Sequence, residues 1–189
     1  MSHITALRRG QRLGTAEVHY TAHPPAVYDR LRGRYADAHT SFARALPATP
    51  PVPAPTVGRT HERDVVLSPE RPSLWRLRID VGHRVLFDHP HDHVPGMVLL
   101  EAAAQAAQAM MDHPVLAVGF ETRFLRYVEF DSPCMVSAEL LPADADGRAR
   151  IAVSASQEER PVFSCTVTVL PRVSCDNRPP VTSVEALPQ

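Results

Sequence analysis

The chain has 189 residues, which at about 150 residues per domain allows one domain with an appendage and argues against two full-sized ones. Hydrophobic residues make up 44% and charged residues 22%, so a core can be buried and global disorder is excluded. The 20 basic residues, all of them arginine, against 21 acidic ones give a formal net charge of −1, which leaves no broad electrostatic drive toward nucleic acid or an anionic membrane.

The amino-terminal MSHITALRRGQRLG lacks the apolar stretch of a secretory signal. No apolar run reaches the ~20 residues of a membrane span, so a soluble, cytoplasmic protein is expected. Thr15 to Thr21 alternates as a strand does and Pro25 to Arg34 has the makings of a short helix, yet residues 1–46 are too few to form a core alone. Pro47 to Pro55 holds five prolines, too dense for a helix or an internal strand, and residues 47–57 read as a linker in polyproline II form. From Trp75 to Val81 the apolar residues fall on odd positions and the charged ones on even positions, a strand buried on one face. A polar, His-rich loop follows. From Pro95, PGMVLLEAAAQAAQAMMDH opens with proline near the first-turn position and stops before Pro114, which predicts a helix. Further strands are expected at about 115–121, from 123–130 toward 141 beyond Ser132 and Pro133, at 148–156 and at 161–170, with Asp146-Gly147 as a turn signal. Residues 173–189 read as a flexible, Pro-containing polar tail. The element order predicts an α+β domain over residues 58–172, one helix packed on an antiparallel sheet.

Eight glycines supply no G-x-G-x-x-G, no G-x-x-x-x-G-K and no G-x-S-x-G, which excludes dinucleotide, nucleotide-phosphate and nucleophile-elbow chemistry of those types. Cys134, Cys165 and Cys175 are odd in number and lack C-x-x-C spacing, so they read as reduced thiols. The densest polar cluster is Asp88-His89-Pro90-His91-Asp92-His93. A metal is not expected there, because Pro90 interrupts the backbone and only His113 lies downstream. On the helix Glu101, Gln105, Gln108 and Asp112 are spaced 4, 3 and 4 apart and form one stripe, which reads equally as a solvated face or as a functional one. Glu101 lies a turn beyond the His-rich loop. A carboxylate and an imidazole converging there, beside free N–H groups at Gly96 and Met97, would combine an acid or base with an oxyanion site. His89, His91 and His93 are all within reach. Arg123 and Arg126 stand among aromatic residues and, on a strand, would face opposite sides; Arg126 is favoured as the one that points into a site.

The run D-H-P-H-D-H-V-P-G-M-V-L-L-E-A-A from Asp88 to Ala103 resembles the signature of the A-factor biosynthesis (AfsA-like) hotdog family. Phe124-Leu125-Arg126-Tyr127, Phe130-Asp131-Ser132-Pro133 and Asp64-Val65-Val66-Leu67-Ser68 add to it, over roughly Val57 to Leu170. The resemblance implies a hotdog fold, a central helix wrapped by a curled antiparallel sheet. It implies transfer of a β-ketoacyl group from an acyl carrier protein thioester to dihydroxyacetone phosphate, without metal or organic cofactor. The segment is similar, more distantly, to hydroxyacyl-carrier-protein dehydratases, whose catalytic His and Glu fall here on His89 and Glu101; Asp-His-Pro in place of Gly-His-Phe points away from dehydration. The implied roles are His89 and Glu101 as catalytic residues, Gly96 and Met97 as the oxyanion site, and Arg126, Arg123, His91, His93 and Gln105 as substrate contacts. Typical members have two hotdog repeats, and Leu13 to Val18 through Pro25 to Gly33 resembles only the end of the first, so residues 1–46 are expected as its remnant and the chain as a homodimer. A carrier-bound thioesterase or dehydratase, and a non-catalytic binding module, are the other readings.

Overall fold

The computed structural model describes residues 1–172; the tail expected at 173–189, and Cys175 with it, lies outside them. The chain divides into two compact units, Met1–Ala36 and Asp37 onward. In the first, β1 (Ser2–Arg8) and β2 (Gln11–Val18) form an antiparallel hairpin. Its turn places Arg9 and Gly10 at φ 50 and 78, the left-handed pair a two-residue hairpin requires. The helix α1 (Pro25–Arg32) starts with proline at its first position and ends at Gly33, φ 55. The strand β1 has no counterpart in the sequence reading, since neither face of the hairpin is buried and nothing forces an apolar alternation.

The second unit opens with α2 (Ala38–Ala43), capped by Asp37, whose Oδ1 accepts the Thr40 N–H at 2.7 Å. Phe42 meets Phe87 and Phe130 edge-on, with ring centroids 5.9 and 5.5 Å away. Residues 37–46 therefore belong to the larger body rather than to an amino-terminal remnant ending at 46. The Pro-rich segment is no free linker either. Val52 and Ala54 between its prolines and Val57 just beyond them are buried, Val52 donates its N–H to the Leu67 carbonyl, and a 3-10 turn at Ala54–Val57 lies on the long helix.

Six strands form one antiparallel sheet in the order β3-β4-β6-β7-β8-β5: β3 (Leu67–Arg71), β4 (Leu74–Leu77), β5 (Val115–Phe124), β6 (Cys134–Leu141), β7 (Ala149–Gln157) and β8 (Arg160–Pro171). The helix α3 (Gly96–Ala109) packs on β5, β6, β7 and β8. Its Ala102, Ala103, Ala106 and Ala107 are small enough to bring the helix close to Val136, Ile151, Val153 and Val167, and all of these are buried. This is the expected α+β architecture of a helix on an antiparallel sheet.

Of the run expected over 123–130 and toward 141, the first two residues close β5 and the part beyond Pro133 forms β6, but residues 125–133 form no strand. The strand β5 ends at Phe124, and the buried Gln157 holds the following loop by accepting the Glu129 N–H and donating to the carbonyls of Glu129 and Ser132. The β7–β8 turn consists of Glu158 and Glu159 at φ 50 and 61, a conformation that favours Asn and Gly. Among the described residues no helix is long and apolar enough to cross a membrane.

Candidate functional site

The site is organised around the start of α3. Pro95 precedes the helix without a side-chain cap, and the first turn closes by Val98 N–H donating to the Pro95 carbonyl at 2.9 Å. The N–H groups of Gly96 and Met97 thus have no acceptor within the helix and carry the positive end of its dipole. A β-carbon on Gly96 would stand 3.0 Å from the Phe124 ring, so glycine lets the helix start pass under that ring. Val94 N–H, bonded to the Val128 carbonyl at 2.9 Å, fixes the approach of the chain.

Glu101 projects from the second turn. Its Oε1 accepts from Arg59 Nε at 2.7 Å, Arg59 Nη2 at 2.6 Å and Gln105 Nε2 at 2.6 Å. No hydrogen bond to Oε2 is made among the described residues. Gln105 is wholly buried; its Oε1 accepts the Val66 N–H at 3.0 Å and its Nε2 also donates to the Asp64 carbonyl at 2.8 Å. Gln108 accepts the Val115 N–H and donates to the His113 carbonyl. Two of the four stripe residues, Gln105 and Gln108, form neither a solvated face nor a substrate-lining one, because their amides tie α3 to the flanking chain. The expectation that Gln105 touches substrate is corrected on that ground. Arg59, absent from the expected site, is the cation that reaches Glu101. Forty-two residues separate the two in sequence, and no local spacing marks the pair.

Below Gln105 the network continues to His83. Its Nδ1 accepts the Leu86 N–H at 3.1 Å, which leaves the ring proton on Nε2, 3.2 Å from Asp64 Oδ1. That hydrogen bond holds the Asp64 carboxyl below its ordinary range.

The three loop histidines differ in setting. His89 is exposed, its Nδ1 2.7 Å from the exposed Asp88 carboxylate. The His91 ring stands against Phe87, and its Nε2 is shut away from water without a hydrogen-bond partner. Burial, then the neighbouring His89, pushes His91 below the usual imidazole range. His93 Nδ1 lies 2.8 Å from Asp92 Oδ1, a carboxylate only 15% exposed, and its ring packs on Tyr127 with centroids 4.7 Å apart. No hydrogen bond joins His89, or either of the others, to Glu101 among the described residues.

The two expected arginines part company. Arg126 is not on a strand at all; it lies in the loop after β5 and donates through Nη1 to the Pro161 carbonyl. Arg123 is opposite Ser164, whereas its neighbours Thr122 and Phe124 are opposite the buried Cys165 and Phe163. Arg123 therefore sits on the sheet face away from α3, where it lines an open trough of about 620 Å³ with Ser137, Ser154 and Thr166. It does not share a site with Glu101.

One apolar surface adjoins the helix start. The strand β5 is an edge of the sheet, and the register puts Phe120 and Phe124 on the helix-facing side, opposite Val167 and Phe163. Both are nonetheless exposed, by 44% and 55%, and Met97, Leu125 and Tyr127 are exposed beside them.

The family model of the A-factor biosynthesis hotdog domain matches residues 40–172. A 2-oxo-3-(phosphooxy)propyl 3-oxoalkanoate synthase of Streptomyces virginiae is 45% identical over 166 residues, covering 87% of this chain and 55% of that protein. A synthase of the same name from Streptomyces coelicolor is 45% identical over 170 residues, covering 86% of this chain and 52% of its own. The chain spans about half the length of the curated relatives it matches. Among solved structures, Cj0977, a sigma28-regulated virulence protein of Campylobacter jejuni, aligns with a TM-score of 0.45 and 15% identity over 57% of this chain and 83% of that one.

Proposed function

The chain belongs to the A-factor biosynthesis hotdog family, and from that premise we propose that it transfers a β-ketoacyl group from an acyl carrier protein thioester to the free hydroxyl of dihydroxyacetone phosphate. The name of the relatives describes an ester of this kind, a 3-oxoacyl group on a phosphorylated 2-oxopropyl alcohol. The observation that carries the reading is the juxtaposition at α3: an uncapped helix start, an Asp92–His93 pair immediately before it, and a firmly held Glu101 in its second turn.

Among the three histidines His93 is the best placed to move a proton. Asp92, largely buried, fixes the ring through Nδ1 and leaves Nε2 to take the acceptor hydroxyl proton. The alkoxide attacks the thioester carbonyl, the oxyanion is met by the Gly96 and Met97 N–H groups, and collapse expels the carrier thiolate, which recovers the proton from His93. The exchange of thioester for ester balances without a cofactor. Glu101 is orienting rather than proton-accepting in this scheme: three donors occupy Oε1, and Oε2 remains to receive a substrate hydroxyl. Arg126, next in sequence to the Tyr127 that backs His93, is the cation assigned to the acceptor phosphate. The exposed inner face of β5 is assigned to a second copy of the chain, which would cover Phe120 and Phe124 and close the acyl site, giving a homodimer.

The test incubates a β-ketoacyl carrier protein with the enzyme, with and without dihydroxyacetone phosphate, and follows products by mass spectrometry. A phosphorylated β-ketoacyl ester formed only with the acceptor is expected, and His93→Ala should lower its rate by about 100-fold or more. Free acid or enoyl product regardless of acceptor would replace this reading with a thioesterase or dehydratase. No product at all would replace it with a binding module.

A further inference from the structure

The geometry points to a binding site for one divalent late transition metal, of the zinc class, formed by Asp88 Oδ1, His89 Nδ1 and His91 Nε2. Their ligand atoms all lie within 4.8 Å of one another. Asp88 Oδ1 is 2.7 Å from His89 Nδ1 and 3.7 Å from His91 Nε2. Ligands bound to zinc at about 2.0–2.1 Å stand roughly 3.3 Å apart in a tetrahedron, so the two distances bracket the required spacing. The donor set, two imidazoles and one carboxylate, suits zinc, cobalt or nickel rather than calcium or magnesium, and it leaves a coordination position open.

Local pairing does not account for this cluster. Two other aspartates are followed directly by histidine, Asp92–His93 and Asp112–His113, each pair with one short contact through Nδ1. Neither forms a group of three such donors among the described residues. Only at Asp88 does a second imidazole turn toward the same carboxylate oxygen, and it does so with a nitrogen that is sealed from water and makes no hydrogen bond. A buried imidazole nitrogen without a partner is an unfavourable arrangement that a metal ion would resolve. The ring is held where it is: His91 stands against Phe87, which is buried and packed on Phe42 and Phe130. Pro90, which by interrupting the backbone argued against a metal at this loop, does not keep the two imidazoles from the Asp88 carboxylate.

The experiment uses the full chain without a polyhistidine tag, treated with chelator and dialysed, and titrated with Zn²⁺ by calorimetry and with Co²⁺ by visible absorption. One equivalent of zinc per chain is expected, together with the cobalt absorption of a four-coordinate nitrogen and oxygen site. Asp88→Asn, His89→Ala and His91→Ala should each weaken zinc binding by at least about tenfold. His113→Ala should bind as the wild type does. Asp88 and His89 are exposed, so their variants report on the site even if His91→Ala perturbs the loop. Absence of stoichiometric zinc uptake by the wild type would overturn the assignment, as would wild-type affinity in Asp88→Asn and His89→Ala, or an equal loss in His113→Ala. Because metal binding is read directly, the outcome is independent of whether acyl transfer is found.

Discussion

Replacing Gln105 by Leu isolates the energetic weight of the amide beneath Glu101. The two side chains are similar in size, so the site stays filled and little cavity term arises. What is lost is specific: the Val66 N–H, on a residue 3% exposed, loses its acceptor, the Asp64 carbonyl loses a donor, and Glu101 loses one of three. An unsatisfied buried N–H costs about 1–3 kcal/mol, and the two weakened acceptors, less deeply buried, add roughly 1 kcal/mol together. The sum is about 2–4 kcal/mol. For a domain of this size a change of 1 kcal/mol moves Tm by about 3–4 °C, so a fall of roughly 6–16 °C is expected in calorimetry or in thermal unfolding followed by circular dichroism. A fall under about 2 °C would mean that Gln105 does not hold the Val66 and Asp64 backbone. Asp64 would then also be freed as the link between His83 and the helix.

The β7–β8 turn predicts a gain: Glu158→Asn with Glu159→Gly relieves two left-handed positions, each costing about 1 kcal/mol for an ordinary residue, and should raise Tm by several degrees; no rise would mean the turn adopts another conformation in solution. Arg59→Ala should lower acyl transfer, with Arg59→Lys restoring only part of it because one ammonium cannot repeat the paired Nε and Nη2 contacts, and full activity in both variants would remove Arg59 from the site. Phe120→Asp should leave the chain monomeric by light scattering under conditions where the wild type is a dimer; an unchanged dimer would place the interface elsewhere than β5. The Cys134 thiol is pushed up to about 12 by burial and that of Cys165 is raised by the same cause, so at pH 8 neither should react with iodoacetamide until denaturant is added.

Legibility in the sequence followed the reach of each signal. The helix α3 was readable because its limits, Pro95 and Pro114, and its apolar run are local, and β7 and β8 because Ile151, Val153 and Ala155, then Cys165, Val167 and Val169, alternate against one buried face. Strand β1 and helix α2 were not, and of β2 only the end from Thr15 was, since the hairpin buries no face and α2 is held by its Asp37 cap and the packing of Phe42. Strand density misled over 125–130: the aromatic residues there pack without a ladder, because Gln157 takes up the backbone groups that a neighbouring strand would have used. The prolines of 47–55 misled in the opposite direction. They forbid regular structure but not burial, and the residues between them supply part of the core.

Glu101 shows the same division within the site. Its spacing to Gln105 and Gln108 was visible as a stripe, but whether the stripe met water, substrate or protein depended on Arg59 and Val66, which only the fold brings there. The helix start has a parallel dependence that runs outside the chain. Phe124 lies over Gly96 and is more than half exposed, and Phe120 continues the same surface along β5, which among the described residues is an edge of the sheet. A unit that pairs along β5 would cover these rings and, in doing so, wall off the N–H groups of Gly96 and Met97 from bulk water. Oxyanion stabilisation by backbone amides is strong only where water is excluded. On the proposed reading, covering β5 and completing the acyl site would be one event, and a variant that abolishes pairing, Phe120→Asp, should lose transfer activity although Asp92, His93, Glu101 and Arg59 are all left in place.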